Sequence, residues 1–173
     1  MDYYDIVMDS CSIDEKLSQR LGYKKIFSMG KDIKLANLND PKVRGASAGI
    51  IMGEDKNKLL TFARGDVKAV IVTDFRIDKK LMAHMAENDI VLCIPVSAIT
   101  FNYGLSRSRA IYMLNTLFTY ARKSDIEVSF ITQASSEMYL ASEMQLIELA
   151  MLVGADEKYA RHSISEVNKG LME

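Results

Sequence analysis

Apolar residues arrive along the chain in short runs, and most runs precede a stretch where they recur at helical spacing. Residues 3–9 (YYDIVMD), 25–29 (KIFSM), 46–52 (ASAGIIM), 67–74 (VKAVIVTD), 89–96 (DIVLCIPV) and 126–132 (IEVSFIT) read as strands. Helices are expected over 12–22, 56–64, 77–88, 106–123 and 142–153, with further helical turns to the C-terminus. In the first, Ser12 with Glu15 has the form of a capping box and Gly22 supplies the stop. Helix 77–88 turns Leu81, Met85 and Ala86 inward. Helix 106–123 places Ala110, Leu114, Leu117, Phe118 and Ala121 on one stripe. Gly154 ends the next helix, and Ser165 is positioned to cap the last. Residues 30–45 read as an irregular connection, because Pro41 is incompatible with a central strand.

Strand and helix alternate, and the strands are continuously apolar, which is the pattern of a parallel sheet covered by helices. Six or seven such units point to a compact TIM-barrel-like α/β fold, short for a complete eight-unit barrel. No linker, repeat or low-complexity tract interrupts residues 1–173, so one domain is expected. Neither GxGxxG nor GxxxxGK[ST] occurs, which removes support for a Rossmann or P-loop nucleotide site.

Composition adds less than the placement of charge. The chain is 49% hydrophobic and 26% charged, with net charge −1, an ordinary globular balance that argues against a generally basic nucleic-acid binder. The charge is uneven, however. Residues 90–124 contain Arg107, Arg109, Arg122 and Lys123 and no acid, whereas residues 125–173 contain nine acids and three basic residues. Such a basic middle and acidic end offer different surfaces to different partners. Cys11 and Cys93 have no metal or redox spacing, and no apolar run is long enough to cross a membrane. The expected setting is a reduced, cytoplasmic one.

Function in a barrel gathers at the C-terminal strand ends. Those positions are Asp9–Ser10, Ser28–Met29, 52–54, 73–76, 95–97 and 132–136. The two histidines, His84 and His162, fall elsewhere and read as locally hydrogen-bonded, so a histidine-rich metal centre is not expected. Asp9 and Asp74 are available carboxylates without an evident catalytic arrangement, and Ser97 and Ser135 read as caps or turn residues. What remains is cationic. Arg76 follows strand 67–74, and Arg107 and Arg109 open helix 106–123, where a helix dipole disfavours cations. Arginines beside helix N-terminal amides suit an anion, phosphate above all, and solvated surface arginines paired with Asp74 or Asp78 are the simpler alternative. Phe101 and Tyr103 are placed to stack on bases, or to serve as core or lid residues.

From about Val67 onward the chain resembles protein component 3 of ribonuclease P. The segments that carry the resemblance are VKAVIVTDFRIDKKLMAHMAENDIVLCIPVSAI, RAIYMLNTLFTYARKSDIEVSFITQASS and ELAMLVGADEKYARHSISEVNKGL. Within them lie a strand running into Ile94–Ile99, Arg109–Ala110 at a long helix start, a Ser/Ala-rich turn at Thr132–Ser136, a helix stop at Leu152–Ala155 and Ser163–Ser165. The resemblance implies a TIM-barrel-like fold related to PHP phosphoesterases without their metal-binding histidines. It implies a protein subunit of the RNA-based endonuclease that removes 5′ leaders from precursor tRNA. Magnesium then belongs to the catalytic RNA, with no cofactor and no catalytic residue on the protein. The implied partners are ribonuclease P RNA and a second small protein, component 2, with precursor tRNA as the holoenzyme's substrate. Arg109 is the best-matched RNA contact, followed by Arg76, with Arg107, Arg122 and Lys123 completing the candidate RNA-binding set. The chain departs from the family at 140–146, LASEMQL, which lacks the usual basic residue. Two rivals remain: a metal-independent barrel enzyme whose Arg76, Arg107 and Arg109 hold a phosphorylated metabolite beside Asp9 or Asp74, and a protein-interaction scaffold.

Overall fold

The computed structural model describes residues 1–8, 10–11, 13–40 and 49–172. In chain order the elements are β1 (Tyr4–Met8), α1 (Glu15–Arg20), β2 (Lys25–Met29), β3 (Leu35–Asn37), β4 (Ile50–Gly53), α2 (Lys56–Phe62) and β5 (Ala69–Val72). They continue with α3 (Lys79–Glu87), β6 (Val91–Pro95), α4 (Ser97–Thr100), α5 (Gly104–Lys123), β7 (Val128–Ile131), α6 (Glu143–Leu152) and α7 (Glu157–His162). A π-helical turn, Ser163–Val167, and the short α8, Asn168–Gly170, end the fold. All strand pairs among the described residues are parallel: β1 pairs with β2, and β3-β4-β5-β6-β7 form a second sheet in sequence order.

Every residue of β4 through β7 is buried, which is why their sequences are continuous apolar runs rather than alternating ones. Alternation appears instead in which core each side chain joins. Ile50, Met52, Ile71, Cys93 and Ile131 face an inner core with Ile6, Met29, Val167 and Leu171. Ile51, Val70, Val72, Leu92, Ile94 and Phe130 face the helices, meeting Leu59, Leu81, Met85, Leu114, Leu117 and Phe118. The stripe expected on residues 106–123 is the buried face of α5.

The expected barrel does not close. Along the outer edge of β7 and just past it the amides go to side chains instead of to β1 carbonyls: Val128 N–H to Tyr159 Oη at 2.9 Å, Phe130 N–H to Ser163 Oγ at 2.9 Å and, after the strand, Thr132 N–H to Oδ1 of the β1 residue Asp5 at 2.8 Å. Buried Asn168 donates to the carbonyls of Tyr4 and Phe130, at 2.9 and 3.1 Å, and accepts from Ser129 Oγ at 2.5 Å. The backbones of the two edges meet beyond this wedge, through Gln133 N–H to Ile6 O and Met8 N–H to Ala134 O, both 3.0 Å. The C-terminal segment therefore occupies the seam and satisfies an edge that would otherwise be unpaired. On the far side β2 reaches the segment before β3 through an isolated bridge, Met29 to Ile33.

Several local expectations also change. A three-residue strand, β3, lies inside the segment read as irregular; Pro41 and residues 46–48 of the expected strand lie outside the described residues. The described cap of α1 is Asp14, whose carboxylate accepts from Leu17 N–H at 2.6 Å; Ser12 is outside the described residues. Ser165 is not a cap, since it is buried and its hydroxyl donates to the Arg161 carbonyl at 2.7 Å. Ser97 begins α4 without a side-chain capping bond. A capping box does occur at Ser142 and Gln145, at the start of α6.

Candidate nucleic-acid interface

Twenty residues make α5 about 30 Å long. Gly104 enters it at φ +53°, and Tyr103 occupies the N-cap without a side-chain capping bond. No acid lies in the first turn, so the opening positive charge of the helix is left uncompensated there. At the other end Arg122 and Lys123 complement the dipole.

The helix does not hold its cations together. Positions two apart point about 200° from each other around a helix axis, so Arg107 and Arg109 project to different flanks. Arg107 lines a groove against α6. Arg109, Thr116 and Lys123 share the outward face at i, i+7 and i+14, all exposed. Near its C-terminal end this face forms a shallow pocket of about 260 Å3 lined by Ile77, Asn115, Thr116, Thr119, Tyr120 and Lys123, with no acid among them. The hydroxyl and amide groups of that lining were not foreseen from sequence, although the seven-residue spacing of Thr116 and Lys123 from Arg109 was available there. Arg122 has a structural use, its guanidinium lying over the Tyr159 ring 4.3 Å from the centroid.

Arg76 is exposed in the turn after β5. Its backbone N–H donates to Asp74 Oδ1 at 3.1 Å, and the preceding Phe75 sits at φ +55°, rare for a bulky side chain. Asp74 is also ion-paired with Lys56, and both side chains are largely buried. This engagement weakens the case for Asp74 as a free general base; Asp9, the other candidate, is outside the described residues. His84 Nε2 contacts the Ala63 carbonyl at 2.6 Å, and His162 lies 3.4 Å from Glu127 Oε1, as expected for locally bonded histidines. Among the described residues no cluster of three or more His, Cys, Asp or Glu could hold a metal ion, and no helix is long and apolar enough to cross a membrane. Burial pushes the Cys93 thiol up to about 12, with a smaller opposing effect from Ser129.

The groove beside Arg107 has a volume of about 630 Å3. Tyr103 and Arg107 form its α5 wall, Gln145, Glu148, Leu149 and Leu152 its α6 wall, and residues 138–141 its end. Phe101 packs edge-on against Tyr139, centroids 4.5 Å apart, which ties the approach to α5 to that end. Phe101 and Tyr103 thus border a groove instead of the outward face that carries Arg109.

No protein-family model and no curated protein matches the chain. In fold it is similar to a chain of a solved cryo-EM structure of archaeal ribonuclease P with mature tRNA, at TM-score 0.65 and 14% identity, covering 98% of this chain and 79% of that one. A Xaa-Pro dipeptidase, solved with methionine bound in its active site, is similar at TM-score 0.53 and 16% identity over 71% of this chain; that match spans only 33% of the dipeptidase. At these identities the likeness is one of fold: the chain shares a parallel β/α arrangement with both.

Proposed function

We propose that the chain is a protein subunit of ribonuclease P of the component 3 type, acting in the removal of 5′ leaders from precursor tRNA. The observation that carries this reading is the fold likeness over 98% of the chain to a chain of archaeal ribonuclease P. The outward face of α5 fits the role chemically: Arg109 and Lys123 occur on a helix with no acidic residue, so a phosphate backbone meets no like charge from that helix. Arginine adds a planar fork matched to phosphate oxygens. Cleavage belongs to the RNA and its magnesium, while this chain, with component 2, supports the catalytic RNA. Within the candidate set, Arg109, Arg76 and Lys123 are assigned to RNA. Arg107 and Arg122 have protein surroundings of their own.

Reconstitution tests the reading. Catalytic RNA, component 2 and this chain are combined, and 5′ cleavage of precursor tRNA is followed across magnesium concentrations. The expected result is faster cleavage at limiting magnesium when this chain is present, and no cleavage by the chain alone. Indifference to its presence at every magnesium concentration rejects the subunit assignment. Robust cleavage by the chain without RNA rejects its non-catalytic role.

A further inference from the structure

We propose that the groove between α5 and α6 is the docking site for a protein, taken by an amphipathic helix of the partner subunit, and that RNA is excluded from it. The proposal rests on the subunit reading above and divides the two flanks of α5 between two partners.

Apolar exposure is the first argument. Tyr103 is 83% exposed, Met138 79%, Leu152 47% and Tyr139 42%, and all four line this one groove. Large apolar side chains gathered in this way, rimmed by polar groups, mark protein contact, and Tyr and Met are types enriched there. The groove is also long in the sense a helix needs. Its α6 wall presents Gln145, Glu148, Leu149 and Leu152 at i, i+3, i+4 and i+7, a ridge suited to receive the apolar stripe of a second helix.

Charge decides what kind of chain fits. Arg107 stands on one wall and Glu148 on the other. A nucleic acid entering the groove would bring phosphates against Glu148 and lay them over an apolar floor, gaining from Arg107 alone. A partner helix with a carboxylate on one flank of its apolar stripe and a Lys or Arg on the other answers both walls at once. The cation at the start of α5 that faces this groove is therefore matched to a protein carboxylate, while Arg109, turned about 200° away, is left for phosphate.

The test compares wild type with a Met138→Ser/Leu152→Ser double variant, which changes no charge and alters two exposed positions. Purified component 2 is titrated into each protein by calorimetry, and ribonuclease P RNA binding is measured in parallel by filter retention. The expected result is a loss of component 2 affinity of tenfold or more with RNA affinity unchanged. Unchanged affinity for component 2 overturns the proposal alone, as does a variant that loses RNA affinity instead. A wild-type chain that self-associates through this groove, with the variant monomeric, assigns the groove to a second copy and also overturns it. A wild type that fails to bind component 2 at all overturns the subunit reading together with the proposal.

Discussion

Asp5 and Thr132, 127 positions apart, are joined twice: Asp5 Oδ1 accepts the Thr132 N–H at 2.8 Å and Oδ2 accepts its hydroxyl at 2.5 Å. Oδ1 also accepts Ile6 N–H at 2.8 Å. The pair closes the upper part of the seam between β1 and β7. Asp5 is fully buried, and burial raises its pKa from 3.8 to about 6 despite these hydrogen bonds.

The consequence is a pH dependence of definite sign. Between pH 4 and 6 the folded chain retains the Asp5 proton that the unfolded chain has released, so this group's contribution to stability falls as pH rises through that window and levels off above it. The size is on the order of 3 kcal/mol. Asp5→Asn keeps an acceptor for the two amides and removes the charge. The difference in unfolding free energy between wild type and the Asp5→Asn variant, from urea titrations at several pH values, is expected to decline from pH 4 to 6. Asp5→Ala leaves both amides without their partner, and its loss relative to wild type is expected to be largest near pH 4 and to shrink toward pH 6, because the variant lacks the titrating group. A wild-type minus variant difference that rises with pH contradicts the buried-carboxylate account.

Much of the fold was legible because the signals were strong. Four central strands were continuous apolar runs, and the buried stripe of α5 was fully periodic. The failure of the barrel to close was not legible, since Tyr159, Ser163 and Asn168 are residue types common at surfaces and nothing local says that they serve the β7 edge. β3 escaped notice because three residues are too few to establish a period. For the candidate site, closeness in sequence misled: Arg107 and Arg109 look like a pair in the text, but two helical steps separate their directions widely. The groove depends on contacts between residues about 40 apart, such as Phe101 with Tyr139, which no local pattern contains.

Tyr159 makes two contacts that substitution separates. Its hydroxyl accepts Val128 N–H at 2.9 Å, and its ring underlies Arg122. Tyr159→Phe keeps the ring and leaves a buried amide unpaired, a loss of about 1–3 kcal/mol. Arg122→Ala removes the partly exposed cation–π contact, worth about 0.5–1 kcal/mol, together with one charge favourable to the C-terminal end of α5. Urea midpoints at unchanged slope should therefore fall further for Tyr159→Phe than for Arg122→Ala. The reverse order would mean that the β7 edge does not need the hydroxyl.

Gly154 permits a close approach of α5 to the end of α6. It adopts φ +111°, and a Cβ there would lie 2.5 Å from Asn115 Nδ2, which donates to Val153 O at 2.7 Å. Gly154→Ala should cost about 1–3 kcal/mol through backbone strain, with the clash added. In an Asn115→Ala background the same substitution should cost less, because only the strain remains. Equal costs in the two backgrounds, read by thermal unfolding, would remove the clash from the explanation.

The outward face of α5 makes the last prediction, which concerns salt. A side chain that contacts one RNA phosphate steepens the fall of log affinity with log salt by somewhat under one unit, about 0.7 for a single strand. Arg109→Ala and Arg76→Ala are each expected to weaken binding to ribonuclease P RNA and to flatten that slope by about this amount. Arg107→Ala should leave the slope close to wild type, since its guanidinium lines the groove shared with Glu148. In the reconstituted particle Arg109→Ala should slow cleavage most at limiting magnesium, where protein cations matter most for charge neutralisation. Filter binding across a salt series, with cleavage rates beside it, distinguishes the two flanks. A slope altered by Arg107→Ala and not by Arg109→Ala would reverse the assignment of phosphate to the outer face.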